Sequence, residues 1–217
     1  EKAAAARRAV QFVQNDMVVG LGTGSTAAYA IAAIGALVQS GSHRLRGVPT
    51  SEQTAALARG HGIPLVGLDE VEAIDLTIDG ADEVLANGDA IKGAGGALVR
   101  EKMVASASRR LVIADSRKLV TQLGAQPLPV EVVPFGWTLV RRRLDALGFD
   151  VTLRMTSTQA PFRSDNGNHI LDARLRPGVS LPDEATLRAI VGIVDHGLFR
   201  GMAHHVVIGR GDEAQVI

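Results

Sequence analysis

The stretch MVVGLGTGSTAAYA, residues 17–30, decides the fold class. An apolar run without polar alternation, MVVGLG, reads as a strand buried on both faces. It meets a turn of glycines and hydroxyls, and a small-residue helix opens at Ser25. A strand running through a tight turn into a helix is the first part of a βαβ unit, so the neighbouring segments should alternate likewise. They do: a helix over 2–13 precedes it. After it come a strand in RLRGVPT (44–50), a helix in SEQTAALARGHG (51–62) ending in glycine, and strands in PLVGL (64–68), AIDLTIDGA (73–81) and RRLVIAD (109–115).

The pattern changes at LGAQPLPVEVVPFG (123–136), where Pro127, Pro129 and Pro134 crowd together. Beyond it follow a helix in WTLVRRRLDALG (137–148) and strands in DVTLRMT (150–156) and SDNGNHILDARL (164–175), with Asn166-Gly167 as a turn. A helix in DEATLRAIVGIV (183–194) and a last strand in HHVVIGR (204–210) complete the series. The expected class is α/β: a Rossmann-like parallel sheet with a smaller α+β, ferredoxin-like domain inserted near the C-terminus. The expected boundaries are 1–126 plus 201–217 for the larger domain and 127–200 for the smaller.

Composition narrows the function. The 217 residues carry 23 Lys plus Arg and 23 Asp plus Glu, so no global field draws the chain to nucleic acid or an anionic membrane. Aromatics are 3% of the chain, too few for the stacking platforms that bind single strands. There is no cysteine, which excludes a disulfide framework, a thiolate zinc site and a cysteine nucleophile. No apolar run approaches a transmembrane length. EKAAAARRAVQFV (1–13) reads as an amphipathic helix rather than a signal peptide.

Three glycine-rich turns carry the chemistry. Gly22-x-Gly24-x-x-Ala27 has the form of a dinucleotide fingerprint, whose use is backbone N–H groups facing a phosphate at a helix N-terminus. A nicotinamide cofactor also needs an acid at the end of the second strand. SHRLRGVPTS (42–51) holds none, and the first acid beyond it is Glu52. Thr23, Ser25 and Thr26 suit a single terminal phosphate better. A plain strand-to-helix turn with Ser25 as N-cap remains the alternative.

The second turn is DLTIDGADEV (75–84). Its acids lie at the carboxyl end of a strand, where ligands bind in open α/β sheets. Gly80-Ala81 between Asp79 and Asp82 turns both carboxylates toward one crevice, where they accept sugar hydroxyls, shuttle a proton or bind Mg²⁺. Solvated acids in an Asx-turn are the alternative.

The third is KGAGGALVREK (92–102). Its glycines present N–H groups as a nest, and Lys92 adds a charge at the rim. Glu101 lies about a turn and a half into the following helix. A lysine for an oxyanion and a carboxylate for a carbon-bound proton are the minimal apparatus of enolisation. The alternative is a surface helix with Arg100, Glu101 and Lys102 all in water.

Taken together the segments resemble ribose-5-phosphate isomerase of the A type. The resemblance lies in residues 22–26, 49–54, 79–83, 92–93 and 100–102, in Ala114-Asp115 with Lys118, and in LPVEVVPF (128–135), DNGNHILD (165–172) and DHGLF (195–199). It covers nearly the whole chain, in order. One departure is Ala94, where the family commonly has glycine. A methyl there is tolerated if φ is negative.

The resemblance implies interconversion of ribose 5-phosphate and ribulose 5-phosphate through an enediolate, in the pentose phosphate pathway, with no metal or organic cofactor. It implies Glu101 as the base, Lys92 as the oxyanion partner, and Asp79 and Asp82 at the sugar hydroxyls and ring opening. It places Thr23, Gly24, Ser25, Thr26 and Lys118, with Lys2, at the phosphate, and Gly80, Ala81, Gly93, Ala94 and Gly95 along the substrate. It also implies a cytoplasmic homo-oligomer, a dimer first, with no nucleic-acid or membrane partner.

Three rivals share parts of this pattern: a non-enzymatic sugar-phosphate sensor, an amino-sugar-phosphate deaminase, and an NAD(P) enzyme. The sensor has no need of Lys92 and Glu101 together, and the last lacks its acid. The six histidines show no ligand spacing, and His196-Gly197 reads as the end of a helix with a glycine cap. Arg141 to Arg143 read as a solvated face and Trp137 as packing.

Overall fold

A computed structural model of the chain describes residues 1–217, apart from the side chains of Arg110 and Leu111. Six strands form the main sheet: β1 (Val18–Leu21), β2 (Arg46–Pro49), β3 (Ile74–Gly80), β6 (Ser108–Asp115), β12 (His205–Arg210) and β13 (Glu213–Val216). Their order is β13-β12-β6-β3-β1-β2, parallel throughout except for the antiparallel edge strand β13. The chain goes from β1 to β2 on one side and returns to β3 on the other. The carboxyl ends of β1 and β3, in register at Leu21 and Ile78, therefore frame a topological switch point.

Strand alternation sorts the two faces. Val19, Leu21, Leu76 and Ile78 join one core cluster with the helices α1 (Lys2–Val10), α2 (Ser25–Gln39) and α3 (Glu52–Gly60). Thr77 and Asp79, on the opposite parity, face the side where α4 (Leu98–Ser106) packs. Ile74 shares parity with Leu76 yet clusters with Val18 and Val104, because a register shift falls between Ile74 and Leu76. Gly20 lets α4 come close: a methyl there would lie 2.6 Å from Val104 Cγ1 and 2.1 Å from Thr77 Oγ1.

A second sheet comprises β7 (Leu128–Val132), β8 (Phe149–Leu153), β9 (His169–Leu175) and β10 (Ile193–His196), antiparallel in the order β10-β7-β9-β8. With α5 (Trp137–Ala146) and α6 (Glu184–Arg188) the sequence of elements is βαββαβ, the ferredoxin-like arrangement. Its core includes Val130, Val140, Leu144, Phe149, Leu171 and Leu187. A small antiparallel sheet, β11 (Leu198–Phe199), β5 (Ala90–Ile91) and β4 (Glu83–Val84), ties the end of β10 back to the second and third glycine-rich turns.

The structure departs from the sequence expectation at several elements. The first helix ends at Val10, not at residue 13. PLVGL makes only an isolated bridge, Leu65 to Gly47, instead of a strand. The helix expected over 183–194 stops at Arg188, and Gly192 at φ 100° then leads into β10, which pairs with β7. His196 therefore ends a strand rather than a helix, and Gly197 is not a left-handed cap. The proline-rich stretch holds a central strand: Pro129 lies on β7 just past the last β10 pair, His196 with Val130, where it forfeits little hydrogen bonding. Arg141 to Arg143 are exposed and Trp137 packs on the smaller core, as expected. Among the described residues no helix is long and apolar enough to cross a membrane.

Candidate active site

The turn after β1 is built by two glycines with different duties. A methyl at Gly22 would sit 2.2 Å from Asp79 Oδ1, so Gly22 lets the β3 carboxylate lie against β1. Gly24 takes φ 105°, outside the range of ordinary residues, and is the N-cap of α2 in place of Ser25. Among the described residues no side chain caps α2, and no acid lies in its first turn. The N-terminus of a four-turn helix is thus open to an anion.

Thr23 serves the turn from below. Its hydroxyl lies 2.8 Å from Thr50 Oγ1, 2.9 Å from Ser51 Oγ and 3.1 Å from Thr54 Oγ1. Thr50 and Thr54 donate onward to the carbonyls of Leu21 and Gly22. This buried hydroxyl cluster holds the loop in shape, so Thr23 contributes to an anion site through the backbone rather than its side chain. The PTSEQT stretch supplies three of the four hydroxyls. Lys2 reaches the same place from the start of the chain, with Nζ 2.8 Å from Ser25 Oγ.

Beside this turn lies a cavity of about 210 Å³. Thr23, Gly24, Ser25, Thr26, Lys2 and Lys118 line part of it. Gly80, Ala81, Asp82, Lys92, Gly93, Ala94, Gly95 and Glu101 line the remainder. Three separate turns, from three places in the sequence, therefore do converge. Asp79 is the exception: fully buried in β3, it lies off the cavity wall. Its odd-numbered parity turns it toward α4, beneath Lys92.

Lys92 is the hub. Its Nζ donates to Gly80 O at 2.6 Å and to Glu101 Oε1 at 3.0 Å, and lies 2.9 Å from Asp79 Oδ2 at ion-pair distance. All three charged side chains are buried. The backbone of Lys92 is held as tightly: its N–H donates to Gly197 O, and a methyl at Gly197 would strike Lys92 O at 2.0 Å. Among the described residues no three metal-ligating side chains converge, and Asp79 takes an ammonium as its cation.

Glu101 sits in the first turn of α4, nearer the helix start than the expected turn and a half. Burial pushes its carboxyl up to about 7, opposed by the Lys92 charge and reinforced by Asp79 and Asp82. Oε1 is bound to Lys92, whereas Oε2 is buried without a hydrogen-bond partner among the described residues. One oxygen is thus tethered and the other is available as a base near neutral pH. Glu101 is 3% exposed and Lys102 6%, so the solvated-helix alternative fails for both.

The glycine-rich turn is clamped on both sides. Ala94 N–H donates to Asp82 Oδ2 at 2.9 Å. Arg154, from the second sheet, donates to the carbonyls of Gly93 and Ala94 at 3.0 Å each and pairs with Asp172. Gly93 and Gly96 take φ 108° and 80°, while Ala94 is not in the left-handed region, so its methyl is accommodated. Arg154 escaped sequence analysis because an arginine near the end of an alternating strand has the look of solvated surface. Glu131 is marked along the chain only as an acid inside the apolar run LPVEVV.

Comparison with known proteins is consistent along the chain. Residues 46–213 match the family described as ribose 5-phosphate isomerase A (phosphoriboisomerase A). A ribose-5-phosphate isomerase A from Cereibacter sphaeroides is 52% identical over 220 residues, covering 97% of this chain and 88% of the relative. A D-ribose-5-phosphate isomerase solved in complex with phospho-erythronic acid superposes with a TM-score of 0.95 at 39% identity, covering 100% of this chain and 96% of that one. The ribose 5-phosphate isomerase A of Methanocaldococcus jannaschii gives a TM-score of 0.93 at 35% identity, covering 100% and 97%.

Proposed function

The chain belongs to the ribose 5-phosphate isomerase A family, and on that premise we propose how its cavity performs the reaction. The enzyme is an aldose–ketose isomerase that interconverts ribose 5-phosphate and ribulose 5-phosphate, a step of the pentose phosphate pathway. The observation that carries the mechanism is the buried Asp79–Lys92–Glu101 cluster, in which Glu101 Oε2 has no hydrogen-bond partner among the described residues.

The phosphate sits at the N-terminus of α2, where the helix dipole and the ammonium groups of Lys2 and Lys118 offset its charge. That leaves the opposite end of the sugar between Asp82, Lys92 and Glu101. Asp82 accepts from the sugar hydroxyls and assists ring opening. Glu101 Oε2 takes the proton from C2 of the open aldose. Electron density moves onto O1, where Lys92 stabilises the enediolate oxyanion, and the proton of the C2 hydroxyl passes to O1. Glu101 then returns its own proton to C1, which leaves the ketose. No atom is gained or lost, and side chains alone supply the acid, base and electrophile. Asp79 holds the Lys92 ammonium in place from below. Phospho-erythronic acid, bound by the relative, offers the same features: a phosphate at one end and a planar anion at the other.

A coupled assay with ribose 5-phosphate in excess chelator tests the activity, and exchange in ²H₂O tests the base. Glu101→Gln should lose both turnover and exchange at the transferred carbon by about 10²–10⁴-fold. Near-normal exchange in Glu101→Gln, with none in Asp79→Asn even on open-chain substrate, would make Asp79 the base instead.

The boundaries 126/127 and 200/201 are proposed on the strand membership: β7 to β10 fall within 128–196, and β12 and β13 rejoin the first sheet. The enzyme is further proposed to act in the cytoplasm as a homodimer. Supporting the dimer, β10 is an edge strand, and Phe135, Val191 and Val194 near it are exposed by 93%, 89% and 43%.

A further inference from the structure

Glu101 is flanked by two cations, and both are anchored away from the main sheet. Arg100 Nε donates to Asn166 Oδ1 at 3.1 Å, and its NH2 donates to Asp165 O at 3.1 Å. Its NH1 pairs with Glu52 Oε1 at 2.9 Å, while Glu52 N–H donates to Asp165 Oδ2 at 2.8 Å. Asn166 is fixed in turn by Glu131 of β7. That carboxylate is fully buried, and its Oε1 accepts from Asn166 Nδ2 at 3.0 Å, Ser164 Oγ at 2.8 Å and Asn168 Nδ2 at 2.8 Å.

On the other side, Lys102 Nζ donates to Asp195 Oδ1 at 2.7 Å and to His196 O at 2.6 Å, both at the end of β10. The same ammonium lies 4.8 Å from the centre of the Phe199 ring, and Lys92 Nζ lies 5.7 Å from that centre. Successive helical residues point about 100° apart, so 100 and 102 reach out on opposite sides of 101. The second sheet therefore holds α4 from two directions, with the base between the two anchors.

We propose that Arg100 and Lys102 are positioning residues for Glu101, and that the Glu131–Asn166 and Asp195–His196 anchors of the second sheet set where the catalytic carboxylate meets the substrate. This rests on the assignment of Glu101 as the base. Neither cation needs to touch substrate for this role, since only Glu101 of the three lines the cavity. The second sheet thereby has a catalytic duty besides closing the cleft. A carboxylate displaced by about 1 Å costs as much as 10²-fold in rate, so the anchors should show in turnover rather than in binding.

The test uses the full-length enzyme with ribose 5-phosphate and four variants: Arg100→Met, Asn166→Ala, their double, and Lys102→Met combined with Asp195→Asn so that no buried charge is orphaned. Each should fold, bind substrate with KM within about twofold of the parent, and lose kcat by about 10- to 100-fold. The double should be no slower than the slower single, because both changes break one connection. The acid limb of kcat should move to lower pH as Glu101 regains water, while Lys92, Asp79 and Asp82 still face it and His196, Asp195 and Glu131 border the helix. If Arg100→Met fails to fold, Asn166→Ala tests the same bond from its far side. Folded variants with parental kcat and an unmoved acid limb, or with the loss confined to KM, would overturn the proposal. A failure of the Glu101 assignment is separable, since it appears as full exchange in Glu101→Gln with the anchors intact.

Discussion

At the scale of single residues, the site runs on a carboxylate kept out of water. Glu101 is held up to about 7 by burial, against an ordinary value of 4.5. Between these two pH values the folded enzyme binds more protons than the unfolded chain, so this group's contribution to stability falls as pH rises from 4.5 to about 7. His196 acts with the opposite sign. Burial and the Lys102 charge hold its imidazole down to about 4 from 6.5, so its contribution to stability rises with pH through that window. The two slopes oppose each other in the parent enzyme. Glu101→Gln removes only the first. Its Tm should match the parent near pH 4.5 and exceed it progressively toward pH 8, as thermal melts across pH would show. A variant that is inactive yet less stable at pH 8 than the parent would contradict the cost assigned to the buried base.

Among the elements, α2 and its preceding turn decide how the substrate is held. The helix has a glycine N-cap, no side-chain cap among the described residues and no acid in its first turn, and Lys2 and Lys118 line the same cavity. A phosphate there is far from the reacting carbons, so its contacts are made equally in ground and transition states. Lys118→Ala should therefore raise KM far more than it lowers kcat, with the loss confined to phosphorylated substrate. Steady-state kinetics with ribose 5-phosphate beside unphosphorylated ribose measure this. Equal losses on both would remove Lys118 from the phosphate site.

For the whole molecule, the second sheet matters through what it touches. Arg154 grips the glycine-rich turn, and Phe162 packs so closely on Gly96 that a methyl there would lie 2.5 Å from its ring. Its outer edge carries the exposed Phe135, Val191 and Val194 beside the free side of β10. A second copy of the chain is the proposed occupant. Phe135→Asp with Val191→Asp should shift the sedimenting species from dimer to monomer while each subunit keeps its core. An unchanged mass would place the contact elsewhere.

What the amino-acid order determined by itself was whatever local spacing encodes. Unbroken apolar runs between helices announced the parallel sheet, and the period of the later segments announced a separate α+β unit. Three glycine turns with Thr23 to Thr26, Asp79 to Asp82 and Lys92 to Glu101 marked the cavity, because glycine and polar residues at strand ends are a short-range signal. Tertiary structure decided the rest. Asp79 faces α4 instead of the cavity because strand parity is counted from sheet pairing. Residues 193–196 form a strand because β7 is there to pair with them, which outweighs the helical preference of DEATLRAIVGIV. Arg100 and Lys102 look solvated along the chain and are anchored only because residues 165–166 and 195–196 are folded back against them. Contacts so distant in sequence leave no periodicity to read; they exist only once two sheets enclose one helix.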